Sequence, residues 1–451
     1  MTEAIGVRTY RRILSGGAML FFAGACAPSP QGRGGPAPLR NPRAALRRSI
    51  DSLVSNSLLR NSHIGLLVVN PARGDTLYSR NAGKLFMPAS NMKIITGSTA
   101  LALLGSDYRF TTTFVSRGAV RDSVLDGDLI VIGRGDPTVS DRAQQGNAMT
   151  WMRRVADSLA ARGIKRVSGR LVRGGNAFPD SIYGYGWEWD DLTTDSGAPI
   201  DELLYDEGMT KVTRRIAGRD TLVKTATVFP ARTFLEALSF ALAEKNISVG
   251  AIVPDSTVEV LAPGVDTLFS VQSPPLREIL RYLEKPSQNQ IAEILLRAIG
   301  LERAGVGRAD SGSAVVSRQL LAWGAERDGF VVYDGSGLSR HDLLSPETLV
   351  RTLVAIQRDT AFQVFYDALP IAGVDGTLRT RMVGTPAAGN MRAKTGTLQF
   401  VRALSGYVTD ADGERLVFSI LNNHFTAPVD SVSRFQNNVG VLLAGYRARR
   451  R

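Results

Sequence analysis

The two ends of the chain read as halves of one sheet. Ile64-Gly65-Leu66-Leu67-Val68-Val69 is a continuous apolar run of strand length, Asn70 to Gly74 is a turn, and Asp75 to Ser79 is a return strand. A helical stretch follows from Pro88 to about Leu104, stopped by Gly105. The far end supplies strands at Gly389 to Lys394, Val401 to Val408 and Arg415 to Leu421, the turn Asp410-Ala411-Asp412-Gly413, and an amphipathic helix from about Ala427 to Tyr446. Residues 110–270 differ. Short β-type runs (Thr111 to Val115, Leu129 to Ile132, Thr221 to Val228) mix there with helical stretches at Met149 to Arg162 and Phe234 to Lys245. Helical pattern returns at Pro275 to Leu283, breaks at Lys285-Pro286-Ser287, and resumes from Gln290 to Ile299, with further helices near 310–325 and 346–358. The economical arrangement is one α/β domain built from both ends, 45–110 and 272–446, with a strand-rich α+β region, 111–271, inserted as two subdomains. No internal repeat is visible.

With 451 residues, 44% apolar and 21% charged, the chain is long enough for more than one core and is not disordered. No run of 18 apolar residues exists, which excludes a polytopic membrane protein. The formal charge of +12 does not mark a nucleic-acid surface. Residues 1–50 carry +7 of it and the tail 447–451 carries +4, leaving +1 for the body. Cys26 is the one cysteine, so there is no intramolecular disulfide and no cysteine metal site. His63, His341 and His424 lie far apart without metal-ligand spacing, and no metal or cofactor is expected.

The N-terminus reads as an export signal, 1–25. Arg8, Arg11 and Arg12 precede a short apolar stretch from Ile13 to Ala25, ending in Ala23-Gly24-Ala25. Cys26 follows these small residues directly, resembling a bacterial lipoprotein box, with Ala23 where leucine is usual. Lipidation of Cys26 is favoured over a free thiol. The Pro/Gly/Arg-rich stretch 26–44 is a tether, and 447–451 is a solvated basic tail. The expected location is therefore exported and periplasmic, with membrane contact only through the signal or a lipid anchor.

Three short patterns carry the chemistry. In Ser90-Asn91-Met92-Lys93 a spacing of three puts a hydroxyl and an amine on one helix face. A serine needs an adjacent base, and a lysine serves only when neutral, which means lowering its pKa by burial and a neighbouring cation. Of the eight lysines only Lys93 has a serine three residues before it. Ser287-Gln288-Asn289 lies in the break between two helices. Alone it would be taken for a helix cap. Lys394-Thr395-Gly396-Thr397 lies on a strand, where Lys and Thr can hold a carboxylate and Gly admits a ligand close to the backbone. Alone it would be a strand end.

Together and in this order, S-x-x-K, S-x-N and K-T-G are the signature of penicillin-recognising serine enzymes. The long gap between Lys93 and Ser287 resembles the low-molecular-mass class C penicillin-binding proteins, the D-alanyl-D-alanine carboxypeptidase/endopeptidase branch. Gly135-Asp136-Pro137-Thr138, Trp187-Glu188-Trp189-Asp190-Asp191 and the Asp334–Arg340 run also resemble it. Thr193-Thr194-Asp195-Ser196 departs from it. The resemblance implies a penicillin-binding, serine β-lactamase-like transpeptidase domain, an antiparallel sheet flanked by helices. It implies that Ser90 is acylated with Lys93 as base, and that Ser287 and Asn289 relay the proton and orient the peptide. Lys394, Thr395 and Gly396, with the Thr397 hydroxyl, would hold the terminal carboxylate. The N–H groups of Ser90 and Thr397 would form the oxyanion hole, and Leu338 and Arg340 would border the substrate side chain. The implied substrate is the peptidoglycan stem peptide and the implied inhibitors are β-lactams, with no nucleic acid involved. The alternatives are a serine β-lactamase and a non-catalytic wall-binding scaffold. A Ser-His-Asp hydrolase would need a Gly-x-Ser-x-Gly that is absent.

Overall fold

The structure is a computed structural model and describes residues 41–216, 218–258 and 264–448. The expected signal, Cys26, most of the tether and residues 449–451 lie outside the described residues.

Both chain ends enter one five-stranded antiparallel sheet, ordered Arg392–Leu398, Val401–Thr409, Arg415–Asn423, His63–Asn70, Asp75–Arg80. His63 pairs with Asn423 and Leu66 with Ile420. Side chains alternate between two buried faces. Leu66, Val68, Phe418 and Ile420 face a core shared with Pro42–Val54 and Val429–Ala444. Leu67, Val417, Leu421 and Tyr407 face a second core, shared with the helices Met92–Leu104, Leu276–Glu284, Asn289–Ala304 and Pro346–Ile356. With helices on both faces, the strand at 63–70 shows an unbroken apolar run instead of alternation. Met92–Leu104 is buried continuously from Met92 to Leu101, which is why its sequence lacks an amphipathic stripe.

The inserted stretch contributes a second, mixed five-stranded sheet, ordered Ile252–Val258, Leu171–Gly174, Leu129–Ile132, Thr111–Ser116, Asp266–Gln272. The helices Met149–Ala160 and Pro230–Glu244 cover one face through Phe114, Trp151 and Phe234. Met209–Ile216 and Arg219–Ala226 form a separate two-stranded hairpin. Phe178, Ile200 and Leu204, although they lie within 111–271, join the core beside Met92–Leu104. The whole is a mixed α+β architecture.

Several expected bounds move. The strand expected at Gly389 starts at Arg392 and runs to Leu398. Gly389 sits at φ +71°, and Gly389 N and Met391 O bond instead to Ala372, so the ladder cannot begin earlier. The last helix begins at Val429, after Pro428. A helix at Pro42–Val54 overlaps the end of the expected tether. Proline suits its first turn, and Leu46, Ile50 and Val54 form its buried stripe.

Candidate active site

Ser90 lies in a 3-10 turn, Ala89–Asn91, which leads into the helix Met92–Leu104. Ala89 has φ +48°, a left-handed conformation that costs about 1–3 kcal/mol in a non-glycine residue and clusters at functional sites. Asn423, at the end of the central strand pair, fixes the approach to this turn. Met87 N donates to its Oδ1 at 2.7 Å and its Nδ2 donates to Met87 O at 3.1 Å. Asn91 Nδ2 donates to Lys394 O at 2.9 Å, joining the turn to the outer strand. Gly396 allows that approach, because a Cβ there would lie 2.7 Å from Pro88 O and 2.8 Å from Ala403 Cβ.

Lys93 is fully buried. Its Nζ reaches Asn289 Oδ1 at 2.6 Å, Ser336 O at 2.8 Å and Ser90 Oγ at 3.0 Å. Burial, and then the charge of Lys394, bring its pKa down to about 7, while Asp334, Glu284 and Glu293 oppose the shift. These are the two causes a neutral lysine base requires.

Ser287 and Asn289 do not cap the following helix. Gln288 does, accepting from Ile291 N at 2.8 Å. Ser287, at φ +67°, turns its Oγ to Lys394 Nζ, 2.7 Å away. Asn289 is the first helical residue, and its Nδ2 donates to Ser196 O at 2.9 Å. The segment Thr193–Ser196, which departs from the family pattern, thus orients a site residue through a main-chain carbonyl. Lys394 is also fully buried and donates to Thr395 O at 3.1 Å. Burial lowers its pKa to about 8 against the pull of Glu284. Thr395 Oγ1 donates to Thr377 Oγ1 at 2.8 Å, and Thr397 is exposed on the outer strand of the sheet.

Leu338 is buried. Arg340 lies across the rim from Gln399, donating to its carbonyl at 3.3 Å and pairing with Glu188 at 2.8 Å. Trp187 donates to Asp334 at 2.9 Å, whereas Trp189 is 83% exposed and packs in no core. Glu188, Asp190 and Asp191 are the one carboxylate group among the described residues close enough to share a cation, and Arg340 already occupies Glu188.

Three supports lie outside the S-x-x-K, S-x-N and K-T-G patterns. Ser336 supplies a carbonyl acceptor to Lys93, and its own N–H is held by Glu293 Oε1 at 2.9 Å and Asp334 Oδ1 at 3.0 Å. Glu293, its pKa raised to about 7 by burial and by Asp334, is held in turn by Arg297. Glu284 is a buried carboxylate whose effect reaches both lysines. Its sequence signal was available, since an acid follows Leu276, Ile279, Leu280 and Leu283 on the apolar stripe of one helix.

With this geometry in view, the comparisons are specific. The chain matches the D-Ala-D-Ala carboxypeptidase 3 (S13) family over residues 46–231 and 215–442. It is 33% identical to a D-alanyl-D-alanine carboxypeptidase of Actinomadura sp. (strain R39), covering 89% of this chain and 85% of that one. It is 26% identical to the D-alanyl-D-alanine carboxypeptidase DacB of Haemophilus influenzae, covering 84% and 90%. Its fold is similar to the crystal structure of penicillin binding protein 4 from Haemophilus influenzae, with a TM-score of 0.78, 24% identity, and 88% and 99% of the chains covered. The chain belongs to the D-Ala-D-Ala carboxypeptidase 3 (S13) family of peptidases.

Proposed function

We propose that the protein is a serine D-alanyl-D-alanine carboxypeptidase/endopeptidase that trims peptidoglycan stem peptides through an acyl-enzyme on Ser90 and is inhibited by β-lactams. The observation that carries this is the environment of Lys93. A neutral amine keeps two N–H groups for Asn289 Oδ1 and Ser336 O, and its lone pair then faces Ser90 Oγ at 3.0 Å. Ser90 gives its proton to Lys93 as Oγ attacks the carbonyl carbon of the penultimate D-alanine. Backbone N–H groups of Ser90 and Thr397 hold the developing oxyanion. Ser287, held by Lys394, passes its proton to the leaving amine as the C–N bond breaks and takes in its place the proton that Lys93 received from Ser90, so D-alanine departs and Lys93 is neutral again. Water then attacks the ester and gives a proton to Lys93, which passes it to Ser90 Oγ as the ester C–O bond breaks, restoring Ser90 and neutral Lys93 and releasing the trimmed peptide. Lys394 and Thr395, with the Thr397 hydroxyl, hold the terminal carboxylate of the substrate, and Leu338 and Arg340 border its side chain. Endopeptidase action is the same ester chemistry on a cross-linking peptide bond.

Export through the N-terminal signal, a periplasmic location and lipidation of Cys26 belong to this reading, supported by the basic and apolar run that ends at Cys26. Among the described residues no helix is long and apolar enough to cross a membrane.

The test is the intact mass of the protein after incubation with benzylpenicillin, beside Ser90→Ala. A lasting adduct on the parent, absent from the variant, is expected. Rapid turnover of the drug would make it a β-lactamase, and neither adduct nor turnover would leave a non-catalytic scaffold.

A further inference from the structure

Glu284 ends the helix Leu276–Glu284 with a fully buried side chain, and neither carboxylate oxygen has a hydrogen-bond partner among the described residues. A buried, unpartnered carboxyl is costly and requires an explanation. Its position supplies one. Gly97 lies one turn beyond Lys93 on the nucleophile helix, and a Cβ there would sit 2.8 Å from Glu284 Oε1. The carboxyl therefore lies directly against that helix, in a notch kept open by a residue without a side chain. Neither lysine bonds it directly. Lys93 turns its N–H groups to Asn289 and Ser336 and its lone pair to Ser90, and Lys394 bonds Ser287 and Thr395.

Arg277, Glu278 and Arg281 of the helix Leu276–Glu284 are exposed, and three charges on the segments next to it are paired elsewhere. Lys285 is turned to Asp375 at 2.7 Å, Asp367 pairs with Arg392 at 3.1 Å, and Glu293 pairs with Arg297 at 3.3 Å. Two buried lysines thus share one buried carboxylate that bonds neither.

Resting on the acyl-serine reading above, we propose that Glu284 is a positioning residue that distributes charge between the two lysines, keeping Lys394 cationic for the substrate carboxylate while Lys93 works as a neutral base. The asymmetry comes from what else each lysine feels. Lys93 is also supported by Asp334 and Glu293, whereas among the described residues Glu284 is the one carboxylate that acts on Lys394. In the low-dielectric interior such a charge acts without direct contact.

The test is the pH dependence of acylation by benzylpenicillin in the parent, Glu284→Gln and Glu284→Asp. Activity rises with pH as Lys93 loses its proton and falls as Lys394 loses its own. Burial raises the pKa of Glu284 itself to about 7, so it is ionised above neutrality, and removing that anion lowers both lysine pKa values, most at the alkaline limb where the charge is fully formed. In Glu284→Gln the alkaline limb moves by about one unit and the acid limb by less, which narrows the active range. Glu284→Asp keeps the charge and both limbs, whatever the loss of rate. A Glu284→Gln profile with unmoved limbs overturns the proposal, even if the rate falls uniformly, because uniform loss is what a purely structural role gives. A parent that never acylates overturns the acyl-serine reading and this inference with it.

Discussion

Asn289 is bonded on both ends of its carboxamide. Its Oδ1 accepts from Lys93 at 2.6 Å while its Nδ2 donates to the Ser196 carbonyl at 2.9 Å. A carboxamide so held has one orientation, and it offers Lys93 an acceptor without a charge.

Asn289→Asp replaces that acceptor with an anion. An opposite charge in contact raises a lysine pKa by about one to three units. Acylation at neutral pH should fall, and the acid limb of the profile should move to higher pH by about one unit or more, onto the alkaline limb set by Lys394, so the maximum rate falls as well. Stopped-flow acylation across pH checks this.

Lys93→Met removes the base and keeps an apolar stem of similar length. Acylation should fall by about 10²–10⁴, the usual contribution of a positioned general base. Circular dichroism should show the parent fold, and intact mass should show the adduct missing or greatly delayed.

The parent enzyme should itself show a bell-shaped dependence of kcat/KM on pH. Its limbs follow Lys93 at about 7 and Lys394 at about 8, so the optimum lies between them. A D-Ala-D-Ala peptide assayed across pH measures it. A profile flat through this range would separate the two lysines from the rate.

Asp342 carries a stability prediction. Burial and the neighbouring Asp334 hold its pKa well above the ordinary value. A carboxyl raised in the folded state contributes stability below its unfolded pKa, and that contribution is lost as pH rises through the folded pKa. Asp342→Asn keeps the acceptor for Tyr333 N and Asp334 N and carries no charge. Its Tm should exceed that of the parent, with the gap widening as pH rises above the ordinary carboxylate range, as differential scanning calorimetry would show.

Much of the site was legible because side-chain chemistry at fixed spacing leaves a written trace. Ser90, Lys93, Ser287, Asn289, Lys394 and Thr395 carry that trace; in the structure Lys93 bonds Ser90 and Asn289, Lys394 bonds Ser287, and Thr395 bonds Thr377. What remained hidden acts through the main chain. The carbonyls of Ser336 and Ser196 serve the site, and any residue type could supply a carbonyl. Glu284 was readable only as a flaw in an apolar stripe. The sheet was legible from its apolar runs, but not the start of its outer strand, where Gly389 and Ala372 divert the backbone. The helix Pro42–Val54 was hidden by proline-rich surroundings that read as a tether.

The central pairing of His63–Asn70 with Arg415–Asn423 bears on when the enzyme comes into being. A strand made early during synthesis waits for one made almost last, and contacts so distant in sequence form slowly. Asn423, which closes that pairing, also holds the turn before Ser90. An unfinished chain on the ribosome therefore carries Ser90 and Lys93 but no aligned nucleophile. The nucleophile is aligned only when nearly the whole chain is available to fold.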